Sequence, residues 1–184
     1  DDEELRLDKE CPAIPKGWQI EHDDCASFWT MRRTWTSPGT GAVETHVVRV
    51  QLTTRDPSLD PECDIRGEHV PFSIIMKSDG SEDVVDITGD VVEGELVVDN
   101  IRVYGSEVLA CSSSGAAGVD RAILYPGPNL DEAEEELLDG IQSWLAERNF
   151  DDQFGEFLGQ HSIWVEQMEY ERWLQNLKAF VAAQ

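Results

Sequence analysis

Positive charge is what this sequence has least of: Lys and Arg number 14 against 38 Asp and Glu, a formal net charge of -24 with a pI near 4.2. Holding a phosphate backbone requires a cationic surface, so this deficit argues against duplex DNA and bare RNA as direct ligands. Long hydrophobic runs are missing as well, and no apolar stretch approaches the ~18 residues of a membrane span. The cysteines Cys11, Cys25, Cys63 and Cys111 form no CxxC pair and have no His at zinc-ligand spacing. They read as reduced thiols rather than a disulfide framework or a metal site. Nucleotide-binding and hydrolase signatures (GxGxxG, GxxxxGK, HExxH, GxSxG) do not occur, and His22, His46, His69 and His161 stand far apart in the chain. Neither an enzyme, nor a cofactor, nor a bound metal is expected.

What is present is enough for a folded domain. Hydrophobic residues make up 40% of 184, and a chain of this size buries about 70% of its unfolded surface. One domain spanning residues 1–184 is expected. Asp1 opens no signal peptide and no Arg-rich transit peptide, so a targeting segment is expected to be absent from this chain. The acidic excess favours cationic partners, whose encounter it accelerates in a salt-dependent way.

Taken in order, residues 1–10 are mostly charged and read as either the last turns of a helix or a frayed start, stopped by Pro12 and Pro15. From Trp18 onward, aromatic, Thr and Val residues alternate with polar ones, the period-two signal of strands. Strands are expected at Trp18–His22, Phe28–Trp35, Val43–Leu52, Val70–Lys77, Val84–Thr88, Leu96–Tyr104 and Asp120–Tyr125, with the Gly89–Gly94 segment between the fifth and sixth open to partial pairing. Arg55–Glu68 and Ser112–Gly118 read as loops, the first long and the second flexible. Strands first and helices afterwards argue for an α+β fold, with an antiparallel sheet over about 16–126 covered on one face by helices.

Those helices are expected over about 130–148 and 151–182. The first follows Pro126-Gly127-Pro128, with Asn129 as a candidate cap and Asp131, Glu132, Glu134, Glu135 and Glu136 in its opening turns, where acid suits the helix dipole. Along the second, Phe154, Phe157, Leu158, Trp164, Val165 and Met168 share one face, and the stripe then resumes at Tyr170, Trp173, Leu174, Leu177, Phe180 and Val181. From Met168 to Tyr170 is a rotation of about 200°, so the apolar stripe changes sides. Two readings stand: a kink or break near Glu169, or one straight helix with two partners. On the second, Trp164, Tyr170, Trp173 and Leu177 lie at contacts between layers or subunits.

Candidate chemistry reduces to charge. Between Asp79 and Glu107 there are nine Asp or Glu against one Arg, and Glu82, Asp83, Asp86, Asp90, Glu93 and Glu95 are the candidate partner-binding carboxylates. The same run can equally be a solvated face. Asp79–Asp83 lacks the alternating ligands of a calcium loop. The tryptophans Trp18, Trp29, Trp35, Trp144, Trp164 and Trp173 are placed as core and interface anchors, without the interleaved basic residues of a base-stacking platform. His161, on the apolar side of the second helix, reads as a core or interface histidine rather than a base or ligand.

Two stretches carry a family resemblance: YPGPNLDEAEEELLDGIQSWLAERNFDDQF from Tyr125 and EYERWLQNLKAFV from Glu169, with a weaker one at KGWQIEH from Lys16. They resemble the mitochondrial acidic matrix proteins, the mitochondrial glycoprotein family that includes the human receptor for the globular heads of complement. The resemblance implies a highly twisted seven-stranded antiparallel sheet flanked by a short N-terminal helix and two C-terminal helices, assembled as a ring-shaped homotrimer. It also implies a non-enzymatic, multivalent adaptor or chaperone-like protein of the mitochondrial matrix. Such a protein binds basic mitochondrial proteins and supports RNA processing (including editing), ribosome function or respiratory-chain biogenesis. The alternatives kept beside it are a direct RNA-binding factor and a low-affinity calcium-binding protein.

Overall fold

The computed structural model describes residues 10–52, 69–105, 120–121, 123–128 and 130–183. Six antiparallel strands lie in sequence order in one sheet: β1 (Gln19–Glu21), β2 (Phe28–Thr36), β3 (Val43–Gln51), β4 (Val70–Ser78), β5 (Val84–Val92) and β6 (Glu95–Tyr104). A single turn of 3-10 helix at Leu130–Glu132 leads to α1 (Glu135–Ala146) and α2 (Asp152–Ala182). The α+β class and the two C-terminal helices are as expected from the alternation and the stripes.

One side of the sheet is the core side. Trp29, Met31, Val48, Val50, Phe72, Ile74, Ile87 and Val91 alternate inward and meet Phe154, Phe157, Leu158 and Val165 of α2. Burying side chains of this size is worth ~1.5–3 kcal/mol each, and several of these are wholly shielded. Aromatic edges fix how α2 lies on the sheet: Trp18 stacks on Phe154 at 5.4 Å, and Trp29 meets the His161 ring edge-on at 4.6 Å while its Nε1 donates to Ser162 Oγ at 3.0 Å. A smaller cluster of Ile75, Val84 and Tyr104, with Val47 against it, lies on the other side.

Four expectations change. The seventh strand at Asp120–Tyr125 is not formed: Asp120 and Arg121 are helical, Ile123 and Leu124 turn, and Ile123 is 79% exposed. Pro126 and Pro128 follow immediately and lack the N–H groups a ladder needs. β5 does not stop at Thr88 but runs to Val92, where the two residues Glu93 and Gly94 turn it into β6. α1 begins at Glu135 rather than near Leu130, and Glu134 caps it without a side-chain bond, the acid of its first turn being Glu135 and Glu136. Finally, α2 is one continuous helix of 31 residues with no break at Glu169. The N-terminal helix and the loops at Arg55–Glu68 and Ser112–Gly118 fall outside the described residues.

The start of α2 is set by Asp151, whose side chain accepts a hydrogen bond from the Phe154 N–H at 3.1 Å. Full burial then tracks the stripe as far as Val165, and beyond it Met168 and Leu174 are only half-buried. The last 17 or so residues extend ~25 Å at 1.5 Å per residue, carrying Trp173 at 57% exposure along with exposed Tyr170, Leu177, Phe180 and Val181.

Candidate docking groove

The β5–β6 turn presses on the beginning of α2, and this contact builds an acidic concavity. Both turn residues have positive φ, Glu93 at 52° and Gly94 at 89°, as the tight hairpin with the right twist requires. Gly94 O lies so close to Gly155 that a Cβ there would sit 2.3 Å from it. Gly155 is therefore what lets the hairpin dock on the helix.

Around that contact runs a groove of about 680 Å³ lined by Glu93 and Glu95 of the hairpin, Asp152 and Glu156 of α2, and an apolar floor that includes Val70, Val91 and Ile163. No Lys or Arg lines it. Gln160 Nε2 donates to Glu156 Oε1 at 3.0 Å and steadies one carboxylate. Among the described residues no three His, Cys, Asp or Glu side chains are arranged to hold a metal ion, so these carboxylates do not converge on a point. Spread along an apolar floor, they suit an extended cationic partner.

The six carboxylates selected from the sequence divide among three places. Glu93 and Glu95 line the groove. Glu82 and Asp83 sit in the turn before β5, at the opposite end of a nine-residue strand and so about 30 Å away at ~3.3 Å per residue. Asp86 and Asp90 alternate with the core residues Ile87 and Val91 and face the other side of the sheet. Asp86 is no surface carboxylate: it is 5% exposed, burial pushes its acid above the usual carboxylate range, and Ser73 Oγ donates to it at 2.5 Å. The carboxylates missed from sequence are Asp152 and Glu156. The signal for them is one helix face, since Asp152, Glu156, Gly159, Gln160 and Ile163 follow the i, i+4, i+7, i+8, i+11 spacing.

A second polar system holds α1 and α2 to the sheet. Arg148 Nε and Nη2 grip Glu44 Oε2 and Oε1 at 2.9 and 2.8 Å, and Glu44 Oε2 also accepts from His46 Nε2 at 2.8 Å. Arg33 Nε donates to His46 Nδ1 at 3.2 Å, which fixes the proton of a neutral His46 on Nε2. Burial lowers the His46 pKa despite Glu44. It also brings Arg33 down to about 10, again with Glu44 opposing. Burial works against ionisation of Glu44, but the bonds from Arg148 and His46 outweigh it and hold its carboxyl below the usual value. Arg33 lies over the Trp18 ring at 4.4 Å and Arg148 over Trp144 at 4.6 Å, so both cations also have aromatic faces. His161 is a core histidine, as expected: burial, with His22 nearby, lowers its pKa to about 4.

Of the four residues assigned to contacts on α2, Trp164 packs against its own core, its ring 5.5 Å from that of His161. Tyr170, Trp173 and Leu177 are exposed, and Tyr170 stacks on Trp173 at 6.2 Å. Between these two sets, Glu169 faces the β1–β2 connection: its Oε1 is 2.9 Å from His22 Nε2, and its Oε2 accepts the Cys25 N–H at 3.0 Å. Arg172 pairs with both Glu169 and Asp24.

Solved structures of similar shape exist. A Leishmania major protein, described as hypothetical, of unknown function and a sequence homologue of human p32, matches with a TM-score of 0.80 and 28% identity over 97% of this chain and 94% of its own. The Trypanosoma brucei p22 protein matches with a TM-score of 0.77 and 27% identity over 98% of this chain and 91% of its own. No helix among the described residues is long and apolar enough to cross a membrane. The family model for the mitochondrial glycoproteins, MAM33, matches residues 15–181, which takes in the sheet, the groove and both helices, and the chain belongs to that mitochondrial family.

Proposed function

We propose that this protein is a non-enzymatic, acidic, multivalent adaptor or chaperone-like factor of the mitochondrial matrix. It holds basic proteins and thereby supports mitochondrial RNA processing, including editing, or ribosome function or respiratory-chain biogenesis. The observation that carries the reading is the groove at the β5–β6 turn, where four carboxylates line an apolar floor without a single Lys or Arg. Set in a chain of net charge -24, that groove attracts Lys and Arg side chains, and the ~8 Å screening length at physiological salt makes the attraction short-ranged and collective.

Multivalency comes from assembly. The exposed Tyr170, Trp173, Leu177 and Phe180 side chains at the end of α2 are the surface through which subunits join into a ring-shaped homotrimer, repeating the groove three times. A large apolar stripe left to solvent is the usual mark of such an interface.

Affinity capture from mitochondrial extract tests the function. The protein is expected to retain basic RNA-processing or ribosomal proteins at low salt and to release them at high salt. Retention of acidic or neutral proteins, indifferent to salt, contradicts the reading.

A further inference from the structure

The acidic groove does not end at Glu95. A second groove of about 730 Å³ lies between β6 and α1, and Glu95 and Asp152 line both. Its lining is mixed: Leu96 and Val98 from β6, Leu138, Ile141 and Leu145 from α1, and Leu130 before it give it an apolar wall, and Gln142 and Asp151 join the shared carboxylates on the polar side. α1 covers this space incompletely, since Leu145 is the one side chain of that helix counted as buried, while Leu138 and Ile141 stay partly open and Leu137 is exposed. Outward, α1 bears the exposed acids Glu135, Glu136 and Asp139. The two grooves thus join at Glu95 and Asp152 into one trough, acidic at one end and along its rim, and richer in apolar side chains at the other.

Resting on the adaptor reading above, we infer that the occupant of this trough is an amphipathic Lys/Arg-bearing segment of another protein, its apolar side chains set between β6 and α1 and its cations on Glu93, Glu95, Asp152 and Glu156. Charge complementarity selects it. No Lys or Arg lines either groove, so an apolar segment with acidic flanks is repelled and a basic one is drawn in. A purely polar basic chain satisfies the carboxylates and leaves the apolar end wet. The amphipathic segment fills both, so the protein discriminates among basic partners instead of holding all of them equally.

The test uses the full chain and two labelled synthetic peptides of equal charge, each of about 14 residues with about five lysines. One has leucines at i, i+3, i+4 and i+7, and the other has serine at each of those places. Fluorescence anisotropy at low salt is expected to show the leucine peptide binding at least ~10-fold more tightly. The double substitution Leu138→Ser with Ile141→Ser should remove that ratio and leave the serine peptide's affinity unchanged. Equal affinities on the unsubstituted protein overturn this inference and leave the adaptor reading standing. Binding of neither peptide overturns both. If the double substitution instead lowers the particle mass in light scattering, the groove is filled by a second copy of the chain, and the inference fails.

Discussion

Glu169 and His22 are 147 residues apart in sequence, and their side chains meet at 2.9 Å. That contact, with the Cys25 N–H and the Arg172–Asp24 pair beside it, marks where α2 stops burying its own face on the sheet and begins to present the other. The clasp holds the projecting end of the helix in one direction relative to the strands. The subunit contact proposed for that surface would need such a fixed direction.

Removing the clasp by Glu169→Ala should therefore cost about 1–2 kcal/mol, the scale of charge-assisted hydrogen bonds at a part-exposed site. Calorimetry is expected to show a thermal midpoint lower by a few degrees, with the near-ultraviolet signal of the core tryptophans unchanged. An unaltered midpoint contradicts a role for the clasp.

Gly155→Ala reverses an ordinary expectation. In a free helix the change stabilises by up to ~1 kcal/mol, but here the new Cβ would lie 2.3 Å from Gly94 O. Chemical denaturation should show a loss of more than ~1 kcal/mol, as for other overpacked sites, because the β5–β6 turn must lift off α2. A gain in stability would mean that the turn is not seated on the helix.

Glu93 sits at φ 52°, a region that costs a non-glycine residue about 1 kcal/mol or more and that Asn tolerates better. Glu93→Asn is predicted to raise stability by a few tenths to ~1 kcal/mol while weakening the capture of a basic peptide. Denaturation and peptide titration on the same preparation check both halves. Loss of stability without loss of binding contradicts the groove's role.

Acid should loosen the core through His161. The unfolded chain takes up this proton near 6.5, the folded one only near 4, because burial opposes the charge. Between those values the unfolded state binds more protons, so stability is full above about pH 6.5 and falls progressively as the pH drops towards 4. His46, whose pKa burial also lowers, acts in the same direction. His161→Phe keeps a ring beside Trp29 and Phe157, and denaturation midpoints across this range should then fall less steeply with acid.

Assembly through α2 has its own test. Light scattering is expected to give about three times 20.7 kDa for the native chain, and the single-chain mass after Tyr170→Ser, Trp173→Ser and Leu177→Ser together. These exposed positions are not part of the core, so circular dichroism should be unchanged. A native mass of one chain contradicts the ring.

Much of this was legible in the sequence because the signals are local. Alternation located six strands to within a residue or two at most ends, Asp151 announced the start of α2, and the side-switching stripe marked where burial on the sheet stops. What stayed hidden depends on pairing. The Arg121, Ile123 and Tyr125 alternation resembles a strand, yet the prolines after it leave no ladder to join. Asp86 belongs to the same acidic run as Glu93, but strand parity turns it to the other side and buries it, while the nine residues of β5 separate Asp83 from Glu93. Asp152 and Glu156 join the site only because Gly155 admits the Gly94 carbonyl.

The central claim, that this particular groove rather than acidity at large binds the basic partner, is tested by a charge-matched comparison. One protein carries Glu93→Gln, Glu95→Gln, Asp152→Asn and Glu156→Gln; the other carries Glu21→Gln, Asp79→Asn, Glu82→Gln and Asp83→Asn, equal in charge, exposed on the surface and away from both grooves. Titration with the basic leucine peptide at physiological salt should show at least ~10-fold weaker binding for the first and little change for the second. Equal weakening in both contradicts the groove and reduces the interaction to net charge.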